Sequence, residues 1–241
     1  REFRLRERYD TLLGWLARDL DLRLGQPVRA ISDHGDRVTV HTTAGALTAR
    51  RCLVTVPVAV LAAGMIRFTP PLSAAKQAAI AAFRTRPATK HFFWFDTPLW
   101  DEGFAYAAHD GLFARWWTPA HPDLAAPLLC CYVTAERAAM LDRLPDATVC
   151  EIGLAELSRI LGRDDLAAHW VDFRRYRWAA DTYARGGYAH LPPGMAWART
   201  VLAAAEGNLH FAGEATAYDS NPQTVHGAID SGRRAAREIL N

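Results

Sequence analysis

Leu209-His210-Phe211-Ala212-Gly213-Glu214-Ala215-Thr216 is a short apolar run that stops at a glycine and an acid. Asn221-Pro222-Gln223-Thr224-Val225-His226-Gly227-Ala228, continuing to Ser231-Gly232, is a polar loop that opens a helical pattern. The spacing predicts a strand over Leu209–Ala212 and a helix over Val225–Leu240 whose Ala and Gly positions allow close packing. Gly213 lets backbone approach a ligand closely. The helix start near Thr224 offers free N–H groups and a partial positive charge, suited to a reduced anionic ring or a phosphate. From the helix signals alone, a Thr-capped helix packed through small residues is the plainer reading.

Outward from this segment, Arg51-Cys52-Leu53-Val54-Thr55-Val56-Pro57 is a continuous apolar run stopped by proline, which predicts a strand buried on both faces. Val28–Ser32, Arg37–Thr42 and Ala46–Arg51 read as a small antiparallel meander. A helix is expected over Arg8–Leu20 and a short strand over Leu22–Leu24. Ser73–Phe83 is a helix with a serine N-cap, and Asp146–Leu161 is one ended by Gly162. Lys90–Phe95, Leu112–Trp117, Leu128–Thr134 and Val171–Trp178 read as strands of a second sheet, followed by an irregular loop over Ala179–Gly194. The two ends of the chain therefore look like α/β pieces of one domain, and the middle like a mixed sheet with helices inserted into it.

Composition sets the outer bounds. The chain has 241 residues, half of them hydrophobic, enough for a sizeable core and against a disordered chain. A net charge of +2 with no basic block gives no reason to expect nucleic-acid or anionic-membrane binding, and no stretch has the continuous apolar length of a membrane span. Cys52, Cys130, Cys131 and Cys150 form no C-x-x-C pair, which argues against a metal site; Cys130 and Cys131, in the apolar run Leu128–Val133, read as buried thiols in a strand, and a reducing, cytoplasmic compartment is favoured. Only Lys76 and Lys90 are lysine, against 28 Lys and Arg together, which singles out both positions. The first residue is Arg1, not Met, which fits a fragment or a processed chain.

Phe211-Ala212-Gly213-Glu214-x-Thr216, followed by Pro222-x-Thr224-Val225-His226-Gly227-Ala228-x-x-Ser231-Gly232, resembles the closing flavin motif of the flavin-containing amine oxidases, the family of monoamine and polyamine oxidases and lysine-specific histone demethylases. Val54–Leu61 with Ile66–Leu72, Thr89–Trp100, and Trp178–Gly194 resemble three further family segments in the same order. The resemblance implies an α/β and α+β fold: part of a FAD-binding Rossmann-like domain (residues 1–68 and 195–241) with an inserted substrate-binding domain of mixed β-sheet flanked by helices (69–194). It also implies a role for individual residues. Lys90 matches the lysine that holds a water near flavin N5, where a cation favours reaction with oxygen; its alternative is a strand-edge lysine. Tyr188 matches one wall of the aromatic cage that positions the amine. Trp178 and Tyr183 match aromatics flanking the flavin ring, with core packing as the rival reading of each. Glu214 matches the acid that meets the ribityl or phosphate region, beside Gly213. Thr224 and Val225 match the helix start beneath the pyrimidine ring, Val28 the position whose backbone meets the adenine edge, and Val56 and Pro57 the strand end packed along the cofactor.

The departures shape the rest of the expectation. Asn221 stands where many relatives place an aromatic before the proline, so the second cage wall is Tyr218 or absent. The loop before Pro192-Pro193-Gly194 has no cysteine, which implies non-covalent FAD. No G-x-G-x-x-G occurs in the chain, so a fragment of a longer oxidase is expected, or one subunit whose partner carries the dinucleotide-binding portion. The implied reaction is oxidation of a C–N bond in a small amine, with hydride passing to flavin N5 and oxygen returned as hydrogen peroxide. An L-amino-acid oxidase or desaturase-like flavoenzyme is the first alternative; Arg115 and Arg185 are the arginines available to a carboxylate. A non-catalytic flavin-fold partner subunit is the second. No metal site is expected.

Overall fold

The computed structural model describes residues 9–119 and 127–241, which fold into two compact units. Arg8, with which the first helix was expected to open, lies outside the described residues. The fold is a mixture of helices with mixed sheets, as the sequence implies.

One unit comprises residues 27–89, 134–142 and 177–241. Its meander is β1 (Val28–Asp33), β2 (Val38–Thr42) and β3 (Gly45–Ala49), paired antiparallel. A further strand, β5 (Arg67–Thr69), adds parallel to β1, with Ile31 opposite Phe68. A separate parallel pair joins β4 (Cys52–Val54) to β13 (Leu209–Phe211), with Cys52, Leu53 and Val54 opposite Leu209, His210 and Phe211. The expected strand over Arg51–Pro57 is thus shorter and is not buried on both faces: Val54 is buried, but Leu53 is exposed. Only one edge of β4 is paired among the described residues, and Leu53 is 36% exposed. Ile31, Val38, Val54, Val60, Ile80, Leu202 and Phe211 form the core between these strands and the helices α2 (Val58–Ala62), α3 (Ala74–Ala82) and α7 (Trp197–Ala203). The Ser73 cap holds as expected: its hydroxyl accepts the Lys76 N–H at 3.1 Å.

Two polar devices hold this unit together. Asp33, at the end of β1, accepts the Asn208 backbone N–H and its side-chain amide, both at 2.8 Å. Asn208 is buried, its carbonyl accepts Cys52 N–H at 3.0 Å, and Arg51 donates to its side-chain oxygen, so one residue ties the meander to the parallel pair. The second device is Lys76, 1% exposed. Its ammonium donates to the carbonyls of Val201 and Leu202 at 2.9 and 3.0 Å and to that of Ala204, and lies 4.0 Å from the Phe211 ring centre. A cation at these last carbonyls caps the C-terminus of α7, a helix for which no sequence signal was read. Composition singled out both lysines; this one is structural.

The other unit comprises, among the described residues, 9–26, 90–119, 127–133 and 143–176. Its sheet runs in the order β11 (Trp170–Arg177), β7 (Ala88–Phe95), β10 (Leu128–Thr134), β9 (Arg115–Trp117) and β8 (Tyr106–Ala108). Along β7, buried His91, Phe93 and Phe95 alternate with Lys90, Phe92 and Trp94 on the more open face. The helix α5 (Asp146–Leu161) packs so closely that a Cβ on Gly153 would stand 2.3 Å from the Phe93 ring. It ends, as expected, at Gly162 in the left-handed conformation. Leu22–Leu24 is not a strand; Leu22 and Leu24 are exposed, and no neighbouring strand gives the segment a ladder. Cys130 and Cys131 are buried, as read from the sequence; Cys150 is buried as well, and Cys52 is half-buried.

Replacing Lys76 with methionine keeps the apolar stem but strands its carbonyl partners, and should lower stability by about 2–4 kcal/mol, read from the denaturant midpoint. Burial lowers the Lys76 pKa from 10.5 to about 8, with Glu206 opposing and Arg234 adding to the shift. A lysine that loses its proton more readily in the folded chain contributes stability that grows as the pH rises from about 8 to 10.5. The stability difference between the parent and Lys76→Met should widen across that window; a constant difference would contradict the assignment.

Candidate cofactor site

The site lies in the unit that holds the parallel pair, beyond the C-terminal ends of β4 and β13, where open α/β sheets place their ligands. A pocket of about 270 Å³ is lined there by Val54–Val58, Leu61, Gly187, Tyr188, Phe211–Thr216 and Ala228, among others. The structure thus brings together five residues singled out from sequence: Val56, Pro57, Tyr188, Gly213 and Glu214.

Gly213 turns the chain out of β13 with φ 125° and ψ 171°, a conformation L side chains rarely adopt. Its N–H donates to Ser231 Oγ at 2.9 Å, and that hydroxyl lies 3.0 Å from the Gly213 carbonyl and 2.8 Å from that of Ala228. Ser231 therefore pins the turn to α8 (Val225–Leu240). The Ser-Gly of the closing motif was legible as a pattern, but its role as a pin was not.

Glu214 opens the single 3-10 turn Glu214–Thr216. Its Oε1 accepts the Ala189 N–H at 3.0 Å, while its Oε2 is buried without a hydrogen-bond partner. Burial pushes its carboxyl up; the Ala189 N–H, Arg199 and the Gln223 N–H oppose this in that order. Arg199 does not pair with the carboxylate oxygens but donates to the carbonyls of Glu214 and Ala215 at 3.4 and 3.0 Å. A buried carboxylate oxygen with no partner in a pocket is a receptor for a hydroxyl or N–H from a bound molecule.

Tyr188 is half-buried at the pocket wall, its ring 4.8 Å from that of His190. It precedes the two-residue strand β12 (Ala189–His190), which pairs with β6 (Arg84–Thr85). The expected irregular loop thus contains a short paired strand, and Gly186 before it is required by space. A Cβ on Gly186 would lie 2.5 Å from Thr85 Cγ2.

At the start of α8, Thr224 Oγ1 accepts the Gly227 N–H at 3.0 Å and donates to the Asn221 carbonyl at 2.6 Å. The expected cap is present, and the N–H groups of Val225 and His226 have no intrahelical partner. Thr224 and Val225 do not line the pocket, and Val225 is exposed. Val28 is half-buried at the first position of β1, next to a bulge. Trp178, Tyr183 and Tyr218 are exposed; Asp181 accepts the Tyr183 N–H at 2.9 Å, and the Arg234 guanidinium stands 5.7 Å from the Tyr218 ring. Lys90 belongs to the other unit, exposed on β7. Of the two arginines considered for a carboxylate, Arg185 lines a neighbouring pocket of about 320 Å³ and Arg115 is exposed on β9. Among residues to which the sequence reading gave no role, Thr216 lines the pocket, and Arg199, His190 and Gln223 support it.

Because burial raises the folded-state pKa of Glu214, its contribution to stability is present below the ordinary carboxyl value of 4.5 and is lost as the pH rises through the folded value. In the ligand-free chain Glu214→Gln should therefore raise the denaturation midpoint at pH 7. That gain should shrink as the pH falls toward 4.5. A variant less stable than the parent at pH 7 would show the carboxylate to be paired within the chain.

Comparison with known proteins gives the family and the fold. The family described as flavin containing amine oxidoreductase matches residues 6–240. The chain is 33% identical over 244 residues to lysine-specific histone demethylase 1B of Mus musculus, covering 96% of this chain and 29% of that protein. It is 31% identical to polyamine oxidase 4 of Oryza sativa subsp. japonica over 95% of this chain and 47% of the relative. Its fold matches a putrescine oxidase bound to putrescine with a TM-score of 0.85 at 21% identity, over 95% of this chain and 51% of that one. The chain thus spans less than half the length of the curated relatives it matches. With the family pattern running through nearly all of its length, the chain belongs to the flavin-containing amine oxidoreductases.

Proposed function

We propose that this chain is the C-terminal part, or a subunit, of an FAD-dependent amine oxidase that oxidises a C–N bond in a small amine and passes the electrons to oxygen as hydrogen peroxide. The observation that carries the reading is the buried, unpartnered Glu214 Oε2 in a pocket that begins at the Gly213 turn. Its neighbours fit a flavin: an apolar floor from Val54, Val56 and Pro57, a glycine that keeps backbone uncovered, and a helix start with free N–H groups nearby. When bound there, the flavin supplies the two-electron chemistry, and the protein supplies placement and electrostatics.

Each residue then has a task. Glu214 accepts a hydrogen bond from the cofactor's hydroxyl-bearing chain. Gly213 allows the close approach. With the flavin bound, the Val225 N–H at the start of α8 would be the donor to a ring carbonyl. Tyr188 walls the amine, holding its neutral form in place for transfer of the hydride. Lys90, by its likeness to the family lysine, anchors water and places a cation where oxygen is reduced. The dinucleotide-binding portion, from the same polypeptide or a second subunit, completes the cofactor's enclosure. In support, one edge of β4 is unpaired among the described residues and its backbone groups are open to a further strand. A cytoplasmic location belongs to the same proposal, on the strength of four free thiols. Among the described residues, no helix is long and apolar enough to cross a membrane.

The full-length protein should be yellow and should produce peroxide from amines. Its flavin should separate completely from the polypeptide on acid denaturation; colour that stays with the denatured chain would exclude non-covalent FAD. Lys90→Met should slow reoxidation of the reduced flavin at least about tenfold while changing the amine KM little. Equal effects on both half-reactions would count against the assignment of Lys90.

A further inference from the structure

We infer that Gln223 is a positioning residue: its side-chain amide clamps the Ala189–His190 strand and thereby holds the Tyr188 ring in the pocket wall. The inference rests on the reading of Tyr188 as the wall that positions the amine. Gln223 Nε2 lies 2.9 Å from the Ala189 carbonyl and 3.1 Å from His190 Nδ1. An amide nitrogen has two N–H groups and no acceptor, so these two partners exhaust it. His190 Nδ1 must then be the unprotonated ring nitrogen. Burial and the neighbouring Arg86 and Arg199 all favour the neutral imidazole this requires.

The same short strand is gripped a second time, by the pocket carboxylate. The Ala189 N–H donates to Glu214 Oε1 at 3.0 Å. The peptide units that follow Tyr188 are therefore held at their N–H by the pocket carboxylate and at their C=O by the residue that precedes the cap of α8. The His190 ring, fixed by Gln223, in turn packs 4.8 Å from the ring of Tyr188.

Gln223 occupies a backbone conformation that packing alone would not select. Its φ is 65°, in the left-handed region, where a non-glycine residue is strained by about 1 kcal/mol. Glycine would relieve that strain but remove the amide; methionine would keep the length and remove both hydrogen bonds. The two variants should shift stability in opposite directions, Gln223→Gly upward and Gln223→Met downward. A purely structural role would make function follow stability. The clamp makes both variants loosen Tyr188.

The test uses the flavin-loaded full-length enzyme and a substrate amine identified by peroxide release. Gln223→Met and Gln223→Gly should each raise the amine KM about 5-fold or more with kcat within about 2-fold. A fluorine label on Tyr188, introduced as 3-fluorotyrosine, should show a shifted or broadened resonance in both variants, with or without amine. In a Tyr188→Ala background, adding Gln223→Met should change KM no further, because the effect passes through the ring that is gone. Additive losses in that cycle, or an unaltered fluorine signal with an unaltered KM, would overturn the clamp. If Tyr188→Ala itself leaves KM unchanged, Tyr188 is not the amine's wall. The fluorine signal then decides the clamp alone, for it if perturbed and against it if not.

Discussion

The parallel pairing of Leu209–Phe211 with Cys52–Val54 is the constraint on which the site depends. It joins chain segments more than 150 residues apart, so loop closure opposes it and no local propensity can hold it. The structure secures it from its flanks. Asn208 is clasped by Asp33 and Arg51, and the Leu209 backbone exchanges hydrogen bonds with Glu206. Buried Arg234 donates to the Phe211 carbonyl at 2.7 Å. Ser231 takes both backbone groups of Gly213. The far edge of β13 is thus covered by its own chain, while that of β4 is not.

That distribution explains where stability has been given up. A charge buried without a partner opposes folding, and Glu214 Oε2 is such an atom at the pocket end of the tightened strand. Lys76 is the counter-example within the same unit: a more deeply buried ionisable group, but with its carbonyl partners supplied by α7. The two groups differ in what surrounds them, not in kind. One is satisfied within the fold; the other is left to be satisfied by something bound, which is how binding sites trade stability for affinity.

How much of this was legible in the sequence differs by element. Helices with a capping residue at one end were readable. Ser73, Thr224 and Gly162 each stand where the caps require them, because a cap is decided by neighbours within four residues. The helices α4 (Ala135–Leu141), α6 (Leu166–His169) and α7 were not read; they are short, and none carries a side-chain cap bond. At the site, Gly213 stood out as the glycine that ends an apolar run, and Glu214 and Tyr188 through the resemblance to the family. Gln223 did not, since a glutamine between proline and threonine gives no sign of its left-handed backbone or of the strand it grips.

By itself the sequence determined the pattern: a strand ending in Gly213-Glu214, a polar loop, and a capped helix, in an order that matches one family. It also determined that Lys76 and Lys90 would be the two unusual positions, but not which would be buried. Only the tertiary structure decided that Lys76 is a helix cap, that Leu53 is exposed, and that Glu214 keeps one oxygen unpaired. The physical reason is the same in each case. Strand edges, buried charges and their partners are set by segments distant along the chain, and a local pattern carries no record of which distant group arrives.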